Sequence, residues 1–183
     1  WHPLYIRRNR LLRAVSRDSE FKQIVKDGDE IICLHDSGGF LLRALKNGGF
    51  FKIDCKNIED LYKQLATIAS GTVETLSEEK TLESLGVQKN VFPTYLGHGT
   101  ILPNIYNAEL DQRICFVILL SSSITLPGEN KEIDCIFLLL SPLGDTEGHL
   151  ATLSDISKCC RLNHKRRLIK TANTIDDVIA AVS

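Results

Sequence analysis

Residues 133–142 read Ile-Asp-Cys-Ile-Phe-Leu-Leu-Leu-Ser-Pro. The run has strand length, is almost continuously apolar, and closes on a proline that cannot donate to a ladder. A strand without polar alternation has both faces covered. Residues 114–120, Ile-Cys-Phe-Val-Ile-Leu-Leu, repeat the pattern, so at least two strands lie inside a sheet with helices on its faces. The helices are legible on either side. Ile58, Leu61, Leu65 and Ile68 form a stripe at helical spacing, opened by Asn57 as N-cap with Asp60 in the first turn and stopped at Gly71. Ser77, with Glu78 and Glu79, opens a shorter helix that closes at Gly86. Thr146 opens a helix through Leu150, Leu153 and Ile156, and Thr174 with Asp177 makes a capping-box-like pair before Ile175, Val178, Ile179 and Val182. The predicted class is α/β, a mixed and mostly buried β-sheet flanked by helices.

Composition agrees with a folded chain. Of 183 residues, 43% are hydrophobic and 25% charged, and 22 Lys and Arg against 23 Asp and Glu leave a net charge of -1. That balance argues against a general nucleic-acid coat or a polybasic membrane binder. No apolar run approaches the roughly 20 residues that span a bilayer, so no insertion of this segment in a membrane is expected. The chain begins at Trp1 and contains no methionine, which predicts a piece of something longer. Of six cysteines, Cys33, Cys55, Cys115 and Cys135 sit singly in apolar runs, while Cys159 and Cys160 are adjacent. No CxxC pair suggests zinc, no metal or cofactor is implied, and the thiols read as small apolar side chains; a redox role for Cys159-Cys160 stays open.

The stretch that bears on function is Gly97-His98-Gly99-Thr100-Ile101-Leu102-Pro103-Asn104. Followed by the strand ending at Pro142, by Gly148-His149-Leu150, and by Leu168-Ile-Lys-Thr-Ala172 before the last helix, it resembles the enzyme IIA domains of the bacterial phosphotransferase system, of fructose/mannitol and nitrogen-regulatory type. The resemblance spans residues 50–183. It implies the three-layer enzyme IIA fold, a phosphocarrier protein as partner, and a site in which a histidine after the proline carries the phosphoryl group while a second histidine faces it. His149 matches the second histidine. The first position holds Asn104, and a carboxamide cannot replace an imidazole there: its nitrogen lone pair is delocalised into the carbonyl, whereas phosphoryl transfer needs a nucleophilic ring nitrogen. The resemblance therefore implies the fold without the activity. His98 and His149 are the alternative acceptors, and Gly97, His98, Gly99 and Pro103 a possible ligand or anion site. If Thr146 caps its helix, His149 lies in the first turn, where an anion is favoured. Asn104 and His149 are expected together at one shallow, partly exposed site on an edge of the sheet.

The first 36 residues resemble part of a TrkA C-terminal (RCK-C) domain. Tyr5-Ile-Arg-Arg-Asn-Arg-Leu-Leu reads as a hairpin turning at Asn9, and Asp27-Gly28-Asp29 leads into a strand over 30–34. The glycine pairs Gly38-Gly39 and Gly48-Gly49 mark residues 37–49 as a linker. The expected function is a regulatory, phosphotransfer-incompetent domain, the cytosolic part of a membrane transporter or channel, pairing with that membrane portion or with a second copy. The alternatives are an active phosphocarrier using His98 or His149, or a stand-alone ligand- or partner-binding protein.

Overall fold

The computed structural model describes residues 39–86 and 94–183 in full, with the backbone of Val87, and before them the backbone of strands β1 (Ile6–Arg7), β2 (Phe21–Val25) and β3 (Glu30–His35). The chain divides into two units, 1–39 and 40–183. In the first, β3 lies between β1 and β2 and is antiparallel to both, with Ile31 opposite Ile6 on one side and Val25 on the other. The strand expected over 30–34 is present. Its partner Phe21–Val25 was not foreseen, and the hairpin at Asn9 falls outside the described residues.

The second unit is a three-layer α/β domain. Its elements are α1 (Gly39–Asn47), β4 (Gly49–Ile53), α2 (Ile58–Thr72), α3 (Glu78–Val87), β5 (Thr94–Gly97), β6 (Thr100–Leu102), β7 (Asn104–Asn107), β8 (Ile114–Thr125), β9 (Glu132–Pro142), α4 (Thr146–Arg161), α5 (Asn163–Lys170) and α6 (Ile175–Val182). The sheet order is β4-β8-β9-β6-β5, with β7 continuing β6 along the same side of β9. It is mixed: β4 runs parallel to β8, β8 antiparallel to β9, and β6 and β7 parallel to β9.

The two central strands are buried on both faces, as their composition requires. Ile114, Phe116, Ile118 and Leu120 alternate with Cys115, Val117 and Leu119: the first set packs with Leu61, Tyr62, Leu65 and Leu85 of α2 and α3, the second with Leu41, Leu45, Ile156 and Val178 of α1, α4 and α6. Each helix needs one such face to bury, and burying a Leu or Phe side chain contributes about 2 kcal/mol.

Several local expectations are refined. Asn57 does cap α2, its side chain accepting from the Asp60 N–H, but the helix runs past Gly71 and ends at Thr72. Gly71 has open space where a side chain would be, so it neither forces nor needs a stop. The helix closed by Gly86 in the sequence reading extends to Val87. Thr174 and Asp177 form the full reciprocal capping box. Asp145, not Thr146, caps α4; its carboxylate accepts from the Gly148 N–H at 3.2 Å. The stretch read as a linker is mostly α1, and Leu41, Ala44 and Leu45 on its inner face are fully buried. Glycines at both ends hid that three-four spacing. The described cysteines, all free, are buried, and burial pushes the Cys135 and Cys160 thiols up to about 12 and raises Cys159 as well. Such thiols are inert.

Candidate functional site

Pro103 separates β6 from β7, and Asn104 opens β7 opposite Leu139 of β9. Because the pleat alternates, Ile105 points into the α2–α3 layer while Asn104 and Tyr106 face the other side. Strand β9 ends at Ser141 and Pro142, and after a short turn Asp145 starts α4, which carries His149 one turn in. A strand start, a strand end and a helix start thus meet at one point.

Three side chains there form a continuous hydrogen-bond series. Asn104 Nδ2 donates to the Leu102 carbonyl at 3.2 Å, which turns its Oδ1 toward His149 Nε2 at 3.2 Å. The opposite ring nitrogen, Nδ1, is 2.7 Å from Ser141 Oγ. These partners assign the tautomer: Nε2–H donates to Asn104 and Nδ1 accepts from the Ser141 hydroxyl. Ser141 is fully buried and His149 is 3% exposed. The Tyr106 ring stacks on the imidazole with centroids 4.3 Å apart and planes at 29°. Tyr106, Leu143 and Leu150 remain exposed around it.

Arg113 closes one side. Its Nε lies 3.3 Å from Asp145 Oδ2, its guanidinium sits 4.8 Å over the Phe40 ring of α1, and its side chain is only 13% exposed. Gly148 makes room for it, since a Cβ there would fall 1.4 Å from Nη1. Burial lowers the Arg113 pKa and the Asp145 carboxylate opposes that shift.

Burial also lowers the His149 pKa, against the pull of Asp145 and with a further push from Arg113. The ring is therefore neutral in the folded chain near pH 7. A histidine whose folded pKa lies below its usual 6.5 makes the native state the poorer proton binder. Stability from this group is complete above 6.5 and falls with pH between 6.5 and the folded pKa. Urea midpoints compared at pH 7.5 and pH 5.5 are expected to drop less in His149→Gln than in the native chain; equal drops would remove this account of His149.

The arrangement offers a fixed N–H donor, a buried guanidinium and a helix start around residue 104. It offers no free imidazole lone pair, because Ser141 occupies Nδ1. Asn104 and His149, expected together, are together. Gly97, His98 and Gly99 are not with them. All three have positive φ and form the β5–β6 turn at the start of β9, beside Asp134, whereas Asn104 lies toward the end of β9. From Thr100 to Asn104 is about 13 Å along the strand. The turn borders a separate polar cleft of about 480 Å³, in which Lys170 bonds Asp134 and the His98 carbonyl. Pro103, by contrast, directly precedes Asn104. Sequence reasoning missed Ser141, Tyr106 and Arg113. Ser141 alone had a signal, as the polar residue ending an apolar strand. Among the described residues no cluster of His, Cys, Asp and Glu could hold a metal ion, and no helix is long and apolar enough to cross a membrane.

Comparison with known proteins gives concordant results. The family model "Phosphoenolpyruvate-dependent sugar phosphotransferase system, EIIA 2" matches residues 46–183. Among solved structures, nitrogen regulatory protein IIA-Ntr from Neisseria meningitidis is similar with a TM-score of 0.67 at 21% identity, over 79% of this chain and 98% of that one. IIA mannitol from Escherichia coli aligns with a TM-score of 0.60 at 9% identity, over 73% and 95% of the two chains. The mannitol-specific cryptic phosphotransferase enzyme IIA CmtB of Escherichia coli gives 0.58 at 14% identity, over 76% and 98%. No curated protein matches by sequence.

Proposed function

This chain belongs to the EIIA type 2 family of the phosphoenolpyruvate-dependent sugar phosphotransferase system, and from that premise we propose that it is a regulatory domain that carries no phosphoryl group. The observation behind the reading is Asn104, which stands where the family resemblance puts the phosphorylated histidine. Its carboxamide is held at both ends, by the Leu102 carbonyl and by His149, and has no lone pair for attack at phosphorus. His149 is a poor substitute: it is 3% exposed and both ring nitrogens have partners. His98 is about a strand length away from Asn104 and His149.

The wider assignment follows the sequence. Residues 1–36 are proposed as part of a TrkA-C-like domain, with α1 leading into the EIIA domain, so that the whole is the cytosolic part of a membrane transporter or channel. Its partners are then that membrane portion or a second copy, and a phosphocarrier protein if docking survives without transfer. An active phosphocarrier and a stand-alone binding protein are the competing readings.

The test is incubation with the upstream phosphotransferase proteins and labelled phosphoenolpyruvate, analysed at neutral to alkaline pH so that acid-labile phosphohistidine survives. The native chain is expected to take up no label. Stoichiometric label that disappears in His98→Ala or His149→Ala would overturn the proposal and make the chain an active phosphocarrier.

A further inference from the structure

The net charge of -1 conceals a segregated surface. From Lys158 to Lys170 the sequence is Lys-Cys-Cys-Arg-Leu-Asn-His-Lys-Arg-Arg-Leu-Ile-Lys, with no acid. The end of α4 and the whole of α5 fall in it, and the two helices repeat one pattern. Lys158, Arg161 and Leu162 recur at spacings of three and four; so do His164, Arg167 and Leu168. All six are exposed, while the adjoining Cys159, Cys160 and Ile169 are buried. The spacing puts Lys158 with Arg161, and His164 with Arg167 and Leu168, on the outward side of their helices, and the exposed Leu162 caps the junction between the two.

The neighbouring basic residues are already engaged. Lys170 pairs with Asp134, Arg166 donates to the Cys160 carbonyl and to Asn163, and Lys165 donates to the Val182 carbonyl. None of the ion pairs among the described residues involves Lys158, Arg161 or Arg167. The acids nearest in sequence are committed or lie elsewhere: Asp155 is buried, and Asp177 serves the capping box of α6 beside Asp176. Leu162 is 46% and Leu168 54% exposed, two large apolar side chains placed among uncompensated cations.

We propose that this face, Lys158-Arg161-Leu162 with His164-Arg167-Leu168, docks peripherally on an anionic lipid bilayer. Basic side chains near such a surface each add about 1 kcal/mol of attraction in favourable conditions, or roughly fivefold in partition. Leucines beside them enter the headgroup boundary, as on interfacial amphipathic helices. Nucleic acid fits less well: the face has no Phe, Tyr or Trp for stacking, and the leucines would gain nothing from phosphates. The inference does not depend on Asn104 or His149, so it stands or falls separately from the reading of that site.

The experiment is co-sedimentation of the full 183-residue chain with vesicles of phosphatidylcholine alone or with added phosphatidylglycerol, at low and high salt. Binding is expected only to the anionic vesicles and is expected to be released by high salt. Arg161→Glu/Arg167→Glu is expected to weaken it at least about tenfold. Leu162→Ser/Leu168→Ser, which leaves the charge alone, is expected to weaken it about tenfold. The altered side chains are exposed, and circular dichroism checks that each variant is folded. Three outcomes overturn the proposal: equal partition into neutral and anionic vesicles, no sedimentation with either, or salt-sensitive binding to duplex DNA without vesicle binding.

Discussion

Asn104→His, treated with a small phosphoryl donor such as phosphoramidate, is expected to gain a near-stoichiometric phosphohistidine at position 104 that the native chain never acquires there. The geometry argues for this large change from one residue. Asn104 Nδ2 donates to the Leu102 carbonyl; an imidazole in the same place has its δ nitrogen there, and donating that N–H leaves the lone pair on Nε2. The Nε2 lone pair then faces the side occupied by His149 Nε2–H, 3.2 Å from the present Asn104 Oδ1. His149 is fixed in the donating tautomer by Ser141 at 2.7 Å, so it can hold a phosphoryl oxygen as charge builds. The small donor removes docking from the question. From the phosphocarrier protein, both chains are expected to stay unlabelled, because transfer from a protein donor also needs a docking footprint of about 800 Å², which restoring one side chain does not rebuild. Label is read by mass spectrometry at alkaline pH. A folded Asn104→His that takes no label from the small donor would show that the site has lost more than its nucleophile.

Gly48→Ala is expected to cost about 3 kcal/mol of stability, the largest effect foreseen for a single methyl group in this chain. Gly48 joins α1 to β4, and a Cβ there would lie 1.9 Å from the Cys115 carbonyl oxygen and 2.6 Å from its carbon. The obstacle is backbone of β8, the strand paired on both sides by β4 and β9, and it cannot swing away as a side chain could. Relief must come from moving α1 or β4, both already tied down. Leu41 and Leu45 are fully buried, and the Asn47 side chain donates to the Arg113 carbonyl at 3.1 Å. With a urea m-value of about 1.5 kcal/mol/M, the midpoint falls by about 2 M at unchanged m. A loss under about 0.5 kcal/mol would mean that the junction is pliable and that α1 is not an integral part of the domain.

Much of the fold was legible because it depends on residues close in sequence. The unbroken apolar runs of β8 and β9 announced strands covered on two sides, and the structure covers them with α2 and α3 on one face and α1, α4 and α6 on the other. Asn57 and Thr174 announced helix starts because an N-cap is satisfied by amides two or three residues on. Helix ends were less legible: Gly71 and Gly86 permit a stop without requiring one, and each helix runs a residue beyond. Residues 37–49 misled for a related reason. A glycine pair is the mark of a linker when nothing presses on it, and only the approach of β8 distinguishes Gly48 from a hinge.

The pairing of Asn104 with His149 could be expected from the order of motifs, but not the details that govern its chemistry. Ser141 reaches His149 because β9 ends where α4 begins, Tyr106 because β7 continues β6 past Pro103, and Arg113 because Gly148 has no side chain. The same register separates Gly97-His98-Gly99 from Asn104, although only a few residues lie between them, because an extended chain advances about 3.3 Å per residue. By itself the sequence determined the class of fold and the caps at Asn57 and Thr174, since each depends on a residue's own chemistry or on neighbours within a turn. The tautomer and neutrality of His149, the helix in place of a linker, and the exposed basic face of α4 and α5 were decided only by tertiary structure, because burial and partnership come from segments far apart in the chain.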